Sequence, residues 1–314
     1  MTGSVVELRS VDVHFASGPL WARRRVHAAR EVSLGVAAGE TLGLVGESGS
    51  GKTTTGKVCL GLIRPTTGDV VFDGHPFDYR RRARRGALAA VLQHPQWSLN
   101  PRLHVGTSVA EPLVIAGIGG REETRRQTGE MLERVGLQPV LAKRYPHELS
   151  GGQRQRVAIA RALITHPKFV VFDEAVSALD VSVQAQILNL IRELQAEAGF
   201  AALFISHDLA AVRYVADRIV VMYAGEVVES ATAETLYGRG RHPYTRGLQA
   251  ASDLIEDEDA RLADASEEIA SEGCPLTPRC PIATDLCRTT HPALRPLGDT
   301  LVACHHPEGR AGQS

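Results

Sequence analysis

Thr41-Leu42-Gly43-Leu44-Val45-Gly46-Glu47-Ser48-Gly49-Ser50-Gly51-Lys52-Thr53 is the stretch that decides the fold. Its first five residues form a short apolar run that reads as a strand, and a helical pattern follows to about Leu62. Between them, residues 46–53 fit G-x-x-x-x-G-K-[ST], a loop whose backbone N–H groups wrap phosphates. Glycine lets the backbone come close to the anion, and the positive end of the following helix adds to the attraction. Lys52 is placed to reach the terminal phosphates, and the Thr53 hydroxyl to bind Mg²⁺. A guanine-reading Asn/Thr-Lys-x-Asp motif has no match, because Lys52, Lys57, Lys143 and Lys168, the only lysines, sit in none.

Outward from this loop, strand-like and helix-like runs alternate. Val5–Arg9, Val11–Phe15, Val26–Val36, Asp69–Phe72, Leu88–Leu92, Phe169–Phe172, Ala201–Ile205 and Arg218–Met222 read as strands. Val105–Leu141 is helical with breaks at Gly117–Gly120 and Gly136, and Gly151–Ile164 and Val183–Ala198 are further helices. That alternation predicts an α/β fold with a largely parallel sheet. The expected layout is an ATPase domain over 1–250 with a helical subdomain at about 95–165. An acidic linker follows over 251–272, then a Cys-rich module over 273–307 with no convincing helix or strand period.

Of the 314 residues, 43% are apolar and 23% charged, with a net charge of -1, which gives no global pull toward nucleic acid. The basic run Arg80–Arg85 reads as a solvated helix face. No stretch reaches the ~18 uncharged apolar residues of a membrane helix. Glu7 and Asp12 argue against a secretory signal. The chain is expected to sit on a membrane rather than cross it.

Two further constellations carry chemistry. Phe169-Val170-Val171-Phe172-Asp173-Glu174 is an apolar run ending in two acids. Asp173 is suited to hold Mg²⁺ through water, and Glu174 to orient and deprotonate an attacking water. Leu149-Ser150-Gly151-Gly152-Gln153 precedes a helix, with Ser150 as its cap and two glycines exposing N–H groups. One nucleotide needs one phosphate cradle, so this second one reads as serving a nucleotide held by another subunit.

In order and in wording, these motifs resemble the ATP-binding subunits of ABC transporters over about residues 5–250. The resemblance implies an ABC-type P-loop ATPase that uses ATP and Mg²⁺. It places Phe15 as the aromatic stacking on adenine, with plain core as the alternative. Gly46, Glu47, Ser48, Gly49, Ser50, Gly51, Lys52, Thr53 and Thr54 become the phosphate loop. Gln93 becomes the glutamine that touches Mg²⁺ and water. Ser150, Gly151, Gly152 and Gln153 become the signature for the partner's ATP. Asp173 and Glu174 become the metal-holding and catalytic acids. Ser177-Ala178-Leu179-Asp180 resembles the D-loop, and His207 the switch histidine, with a helix cap as its alternative.

Finer matches point to the oligopeptide/dipeptide importer branch. They are Gln93–Arg102, Tyr145–Glu148, Ala178–Gln186 and Arg241-His242-Pro243-Tyr244-Thr245. The wording Gln153-Arg154-Gln155-Arg156 implies a heterodimer with a paralogous ATPase. The resemblance also implies two permease subunits, a solute-binding protein, no nucleic acid, and a peripheral place on the cytoplasmic face. Nickel complexes or sugars are the alternative cargoes, and a soluble repair or translation ATPase the remote alternative. Two positions depart from the pattern: His94 stands where Asp is usual, and Ala175 where Pro is usual, which predicts a less rigid turn there.

Cys274, Cys280, Cys287 and Cys304 lack the paired C-x2-C of zinc ribbons. Four thiolates can hold an iron–sulfur cluster, and His305 and His306 keep zinc open. Gly273–Pro281 resembles the C-terminal module of the branch, which implies a [4Fe–4S] cluster. Cys59 reads as core.

Overall fold

The computed structural model describes residues 3–17, 24–80, 85–93, 99–238, 240–252, 262 and 269–307. Part of the loop Ser17–Arg25, most of Arg80–Arg85, His94–Ser98 and most of the acidic linker therefore lie outside the described residues. The chain forms two compact units: Met1–Val6, Gly35–Glu40 and Val71–Ile205 in one, and Glu7–Leu34, Thr41–Val70 and Ser206–Ser314 in the other.

The first unit holds three parallel strands with helices. β6 (Leu88–Val91), β7 (Phe169–Asp173) and β8 (Ala201–Ser206) pair in that order, with Phe172 opposite Val91 on one side and Phe204 on the other. Phe169 to Phe172 are all buried, as a run of four apolar residues predicts for a strand covered on both faces. The helices are α2 (Val105–Ala116), α3 (Arg121–Arg134), α4 (Gly151–Leu163) and α5 (Val181–Ala198). α2 and α3 end where the glycines predicted: Gly117 and Gly136 both take φ 72.

The second unit carries the phosphate-loop strand. β3 (Thr41–Val45) is buried throughout and pairs in parallel with β9 (Arg218–Tyr223), which pairs antiparallel with β10 (Glu226–Thr232). α1 (Lys52–Cys59) leaves the loop after β3. α6 (Leu209–Val215), α7 (Ala233–Gly238) and α8 (Pro243–Ala251) complete this part. β1 (Ser4–Ser17) is one long strand, not two. Ser10, at φ 45, marks the irregularity where the pattern reads as a break. It lies between β2 (Arg24–Ala37) and β4 (Thr67–Phe72), and β4 carries the short β5 (His75–Pro76) on its other edge.

The cysteine module needs a correction. Its irregular sequence hides a short helix α9 (Asp285–Thr289) and a hairpin of β11 (Arg295–Leu297) and β12 (Thr300–Val302). β12 adds to β10, with Val302 opposite Glu229, and Leu276, Val302, Cys287 and Cys304 are buried. Three-residue strands carry too little period to be read from sequence.

Candidate functional site

The phosphate loop has the backbone its motif requires. Gly51 takes φ 99, and a Cβ there would lie 2.3 Å from the Ala28 carbonyl oxygen. α1 starts directly after it, with no side-chain cap hydrogen bond at Gly51. Lys52 is 6% exposed, and its ammonium donates to the carbonyls of Gly46 and Glu47, each at 2.7 Å. Ser48, Gly49 and Thr53 are exposed.

Glu47 is the residue of this loop that the motif says least about. Its N–H donates to the Tyr244 hydroxyl at 2.7 Å. Its carboxylate accepts from both terminal nitrogens of Arg279 at 2.8 and 2.9 Å. Burial pushes the Tyr244 and Tyr223 phenols up. Tyr244 belongs to His242-Pro243-Tyr244-Thr245, which is buried as a block; His242 caps α8 by accepting from the Tyr244 N–H at 3.1 Å. Neither Tyr244 nor Arg279 emerges as a loop contact from sequence reasoning. The available signal was a carboxylate inside a loop made for anions, which requires a counter-charge.

Phe15 is 40% exposed on β1, so the core alternative for it falls away. His207 is exposed and does not cap α6; Asp208 does, accepting from the Ala210 and Ala211 N–H groups at 2.9 and 3.1 Å. The second unit thus holds Phe15, the phosphate loop, His207 and the four cysteines.

The first unit holds the remaining candidates. Asp173 ends β7, and Glu174 follows at φ 53, a left-handed conformation that a side chain rarely takes. Its N–H is held by the Ile205 carbonyl at 2.9 Å. Such strain persists where surrounding structure imposes it, and concentrates at sites of function. Ser150 caps α4 in a reciprocal box with Gln153, with bonds of 3.2 and 3.0 Å. A Cβ on Gly152 would meet Val183 Cγ1 at 2.8 Å, so α5 packs closely on the start of α4. Gln93 follows β6 and is exposed. Ala175 is 2% exposed.

Cys274, Cys280, Cys287 and Cys304 line one cavity with His242, His305 and His306. All are free thiols. Burial pushes Cys304 up to about 12, and the neighbouring Cys280, Cys274 and Cys287 add to it. Burial raises Cys274 as well, with Cys287 contributing. A cation bound among them would favour the thiolate forms that burial and mutual proximity disfavour. His306 Nε2 lies 2.9 Å from Thr284 Oγ1, and His305 Nε2 2.9 Å from the Thr290 carbonyl, so these ring nitrogens are engaged away from the thiols. Four sulfurs line the cavity, the donor type of an iron–sulfur cluster or zinc, but among the described residues no three of them lie within 4.8 Å of one another. Elsewhere, Asp12, His14 and His27 lie close, but Asp12 and His27 already pair at 2.6 Å.

Residues 29–177 match a family described as ABC transporter, and residues 228–287 match the oligopeptide/dipeptide transporter C-terminal region. A Brucella abortus (strain 2308) protein named for peptide import and ATP binding is 45% identical over 94% of this chain and 91% of its own. A Brucella ovis protein named in the same way is 48% identical over 84% of this chain and 86% of its own. Among solved structures, a dimeric ATP-binding cassette bound to ADP and Pi in a post-hydrolysis state aligns with TM-score 0.65 and 31% identity. It covers 73% of this chain and 98% of that one. A second, from an ABC transporter complex of Clostridium perfringens, aligns with TM-score 0.67 and 25% identity, over 80% and 97%.

Proposed function

We propose that this chain, which belongs to the ATP-binding proteins of ABC transporters, hydrolyses ATP to drive the import of di- or oligopeptides. The observation that carries this reading is the pairing of an ABC cassette with an oligopeptide/dipeptide transporter C-terminal region in one chain. No described helix is long and apolar enough to cross a membrane. The chain works with permease subunits, at the cytoplasmic face. A paralogous second ATPase and a solute-binding protein complete the assembly in our reading.

Each residue then has a role. Phe15 stacks on adenine, while residues 46–54 receive the phosphates. Lys52 neutralises charge on the β and γ groups. Thr53 offers a hydroxyl, and Asp173 and Gln93 offer carboxylate and amide oxygens, of the kind Mg²⁺ would take; the ion would offset charge on the leaving ADP. Glu174 takes a proton from water as its oxygen attacks the γ-phosphorus and the bond to ADP breaks. His207 contacts the γ-phosphate. Ser150, Gly151, Gly152 and Gln153 engage the ATP of the second subunit. The four cysteines hold a [4Fe–4S] cluster in a structural role.

Glu174→Gln in the assembled transporter tests the central claim. MgATP binding should survive, and hydrolysis should fall by roughly a hundred-fold or more. Hydrolysis at the normal rate would remove Glu174 as the base. Iron and sulfide in stoichiometric amount would support the cluster; zinc in a colourless protein would refute it.

A further inference from the structure

Glu47 is a charge conflict. It lies in a loop that receives phosphate anions, yet it carries a carboxylate. Arg279, 11% exposed, meets that carboxylate with two parallel hydrogen bonds, and the same residue's carbonyl accepts from Lys52. A planar fork fixes direction as well as charge. Arg279 immediately precedes Cys280, and its turn begins at Cys274. The N–H groups of Arg279 and Cys280 both donate to the Leu276 carbonyl at 2.9 Å, and Leu276 is 1% exposed. Gly273 sets the entry to the turn: at φ 67, a Cβ would lie 2.3 Å from the Cys287 carbonyl oxygen. The Cys274 N–H donates to that same carbonyl at 2.7 Å. The guanidinium is therefore aimed by a turn whose shape depends on where two of the cysteines sit.

We propose that Arg279 is a positioning residue for the nucleotide phosphates, cancelling and orienting Glu47, and that it links occupancy of the four-cysteine site to MgATP binding. The first half stands on the Arg279–Glu47 pair alone. The second rests on the reading of the cysteines as a metal site. Linkage of this kind is reciprocal, so bound nucleotide should also slow loss of the metal. Without Arg279, an uncompensated carboxylate faces the incoming phosphates and repels them.

The test uses the full chain, with binding of the magnesium complex of a non-hydrolysable ATP analogue measured by calorimetry. Arg279→Ala should weaken binding roughly ten-fold, and Arg279→Lys by less, since it keeps the charge and loses the fork. Adding Glu47→Gln to Arg279→Ala should restore binding to within about two-fold of wild type. A merely structural role predicts no such rescue. Removing the metal with a chelator, with iron, zinc and sulfide counted before and after, should weaken binding in the wild type and leave Arg279→Ala nearly unchanged. Wild-type affinity in Arg279→Ala, or loss that Glu47→Gln does not rescue, overturns the positioning role. Equal sensitivity of wild type and Arg279→Ala to metal removal overturns the link. A wild-type protein purified free of metal overturns the cysteine reading and the link together, while the rescue still decides the role of Arg279.

Discussion

Tyr244 and Glu47, 197 residues apart, are joined by a hydrogen bond of 2.7 Å from the loop's N–H to the phenol oxygen. Tyr244 is wholly buried, and its ring lies 4.7 Å from that of Tyr223. Tyr244→Phe keeps the ring and removes the acceptor. Leaving the Glu47 N–H unsatisfied should cost about 1–2 kcal/mol. Calorimetric unfolding should show a Tm lower by roughly 2–6 °C. Analogue affinity should fall in parallel, and an unchanged affinity would mean that the bond does not shape the loop.

Gly51 is a loop position with little freedom. At φ 99 and with the Ala28 carbonyl 2.3 Å from a would-be Cβ, Gly51→Ala must move backbone. The expected cost is about 2 kcal/mol or more, together with loss of nucleotide binding. Gly199→Ala is the control. It has φ 67 but nothing near its Cβ, so it should lose about 1 kcal/mol and bind nucleotide normally.

Ser150 separates structure from chemistry. Aspartate caps a helix as well as serine and suits the helix dipole. Ser150→Asp should thus fold with wild-type stability and bind nucleotide at its own phosphate loop. If the loop before α4 meets a second subunit's ATP, the added charge should make the ATPase rate of the assembled transporter collapse. Normal turnover by Ser150→Asp would remove the signature from the catalytic dimer.

Asp12 supplies a pH dependence. Burial raises its carboxyl, but bonds from Thr67 at 2.8 Å, His27 at 2.6 Å and the Glu31 N–H at 3.3 Å outweigh it and hold it below its usual 3.8. A lowered folded pKa adds stability that is present above pH 3.8 and lost as pH falls through the folded value. Asp12→Asn should lose about 1 kcal/mol at pH 7 and show a flatter acid limb in unfolding curves from pH 5 to pH 2. An identical limb would show that the carboxylate is not what ties β1 to β2 and β4.

Local rules made most of the fold legible. Gly117 and Gly136 end helices because a left-handed residue must follow the last turn, and Phe169–Phe172 is a strand because both its faces are covered. The Ser150 cap with Gln153 three residues on is a signature of spacing alone. Glu47, the one acid of the loop, is legible in the sequence as a carboxylate among anion donors, but its partner is not. Arg279 lies 232 residues away, and pairing over that distance leaves no periodic trace. The hairpin of β11 and β12 stayed hidden because its strands are short and gain their order from β10. His207 and Asp208 are adjacent polar residues after an apolar strand, and only the N–H groups at Ala210 and Ala211 decide which of them caps.

The addition of β12 to β10 has a consequence for biogenesis. During synthesis β10 leaves the ribosome long before its last neighbour exists, so its backbone edge stays open to stray pairing. Arg279 emerges in the same late stretch as that neighbour. A nascent chain would therefore complete its sheet and neutralise Glu47 in one closing event.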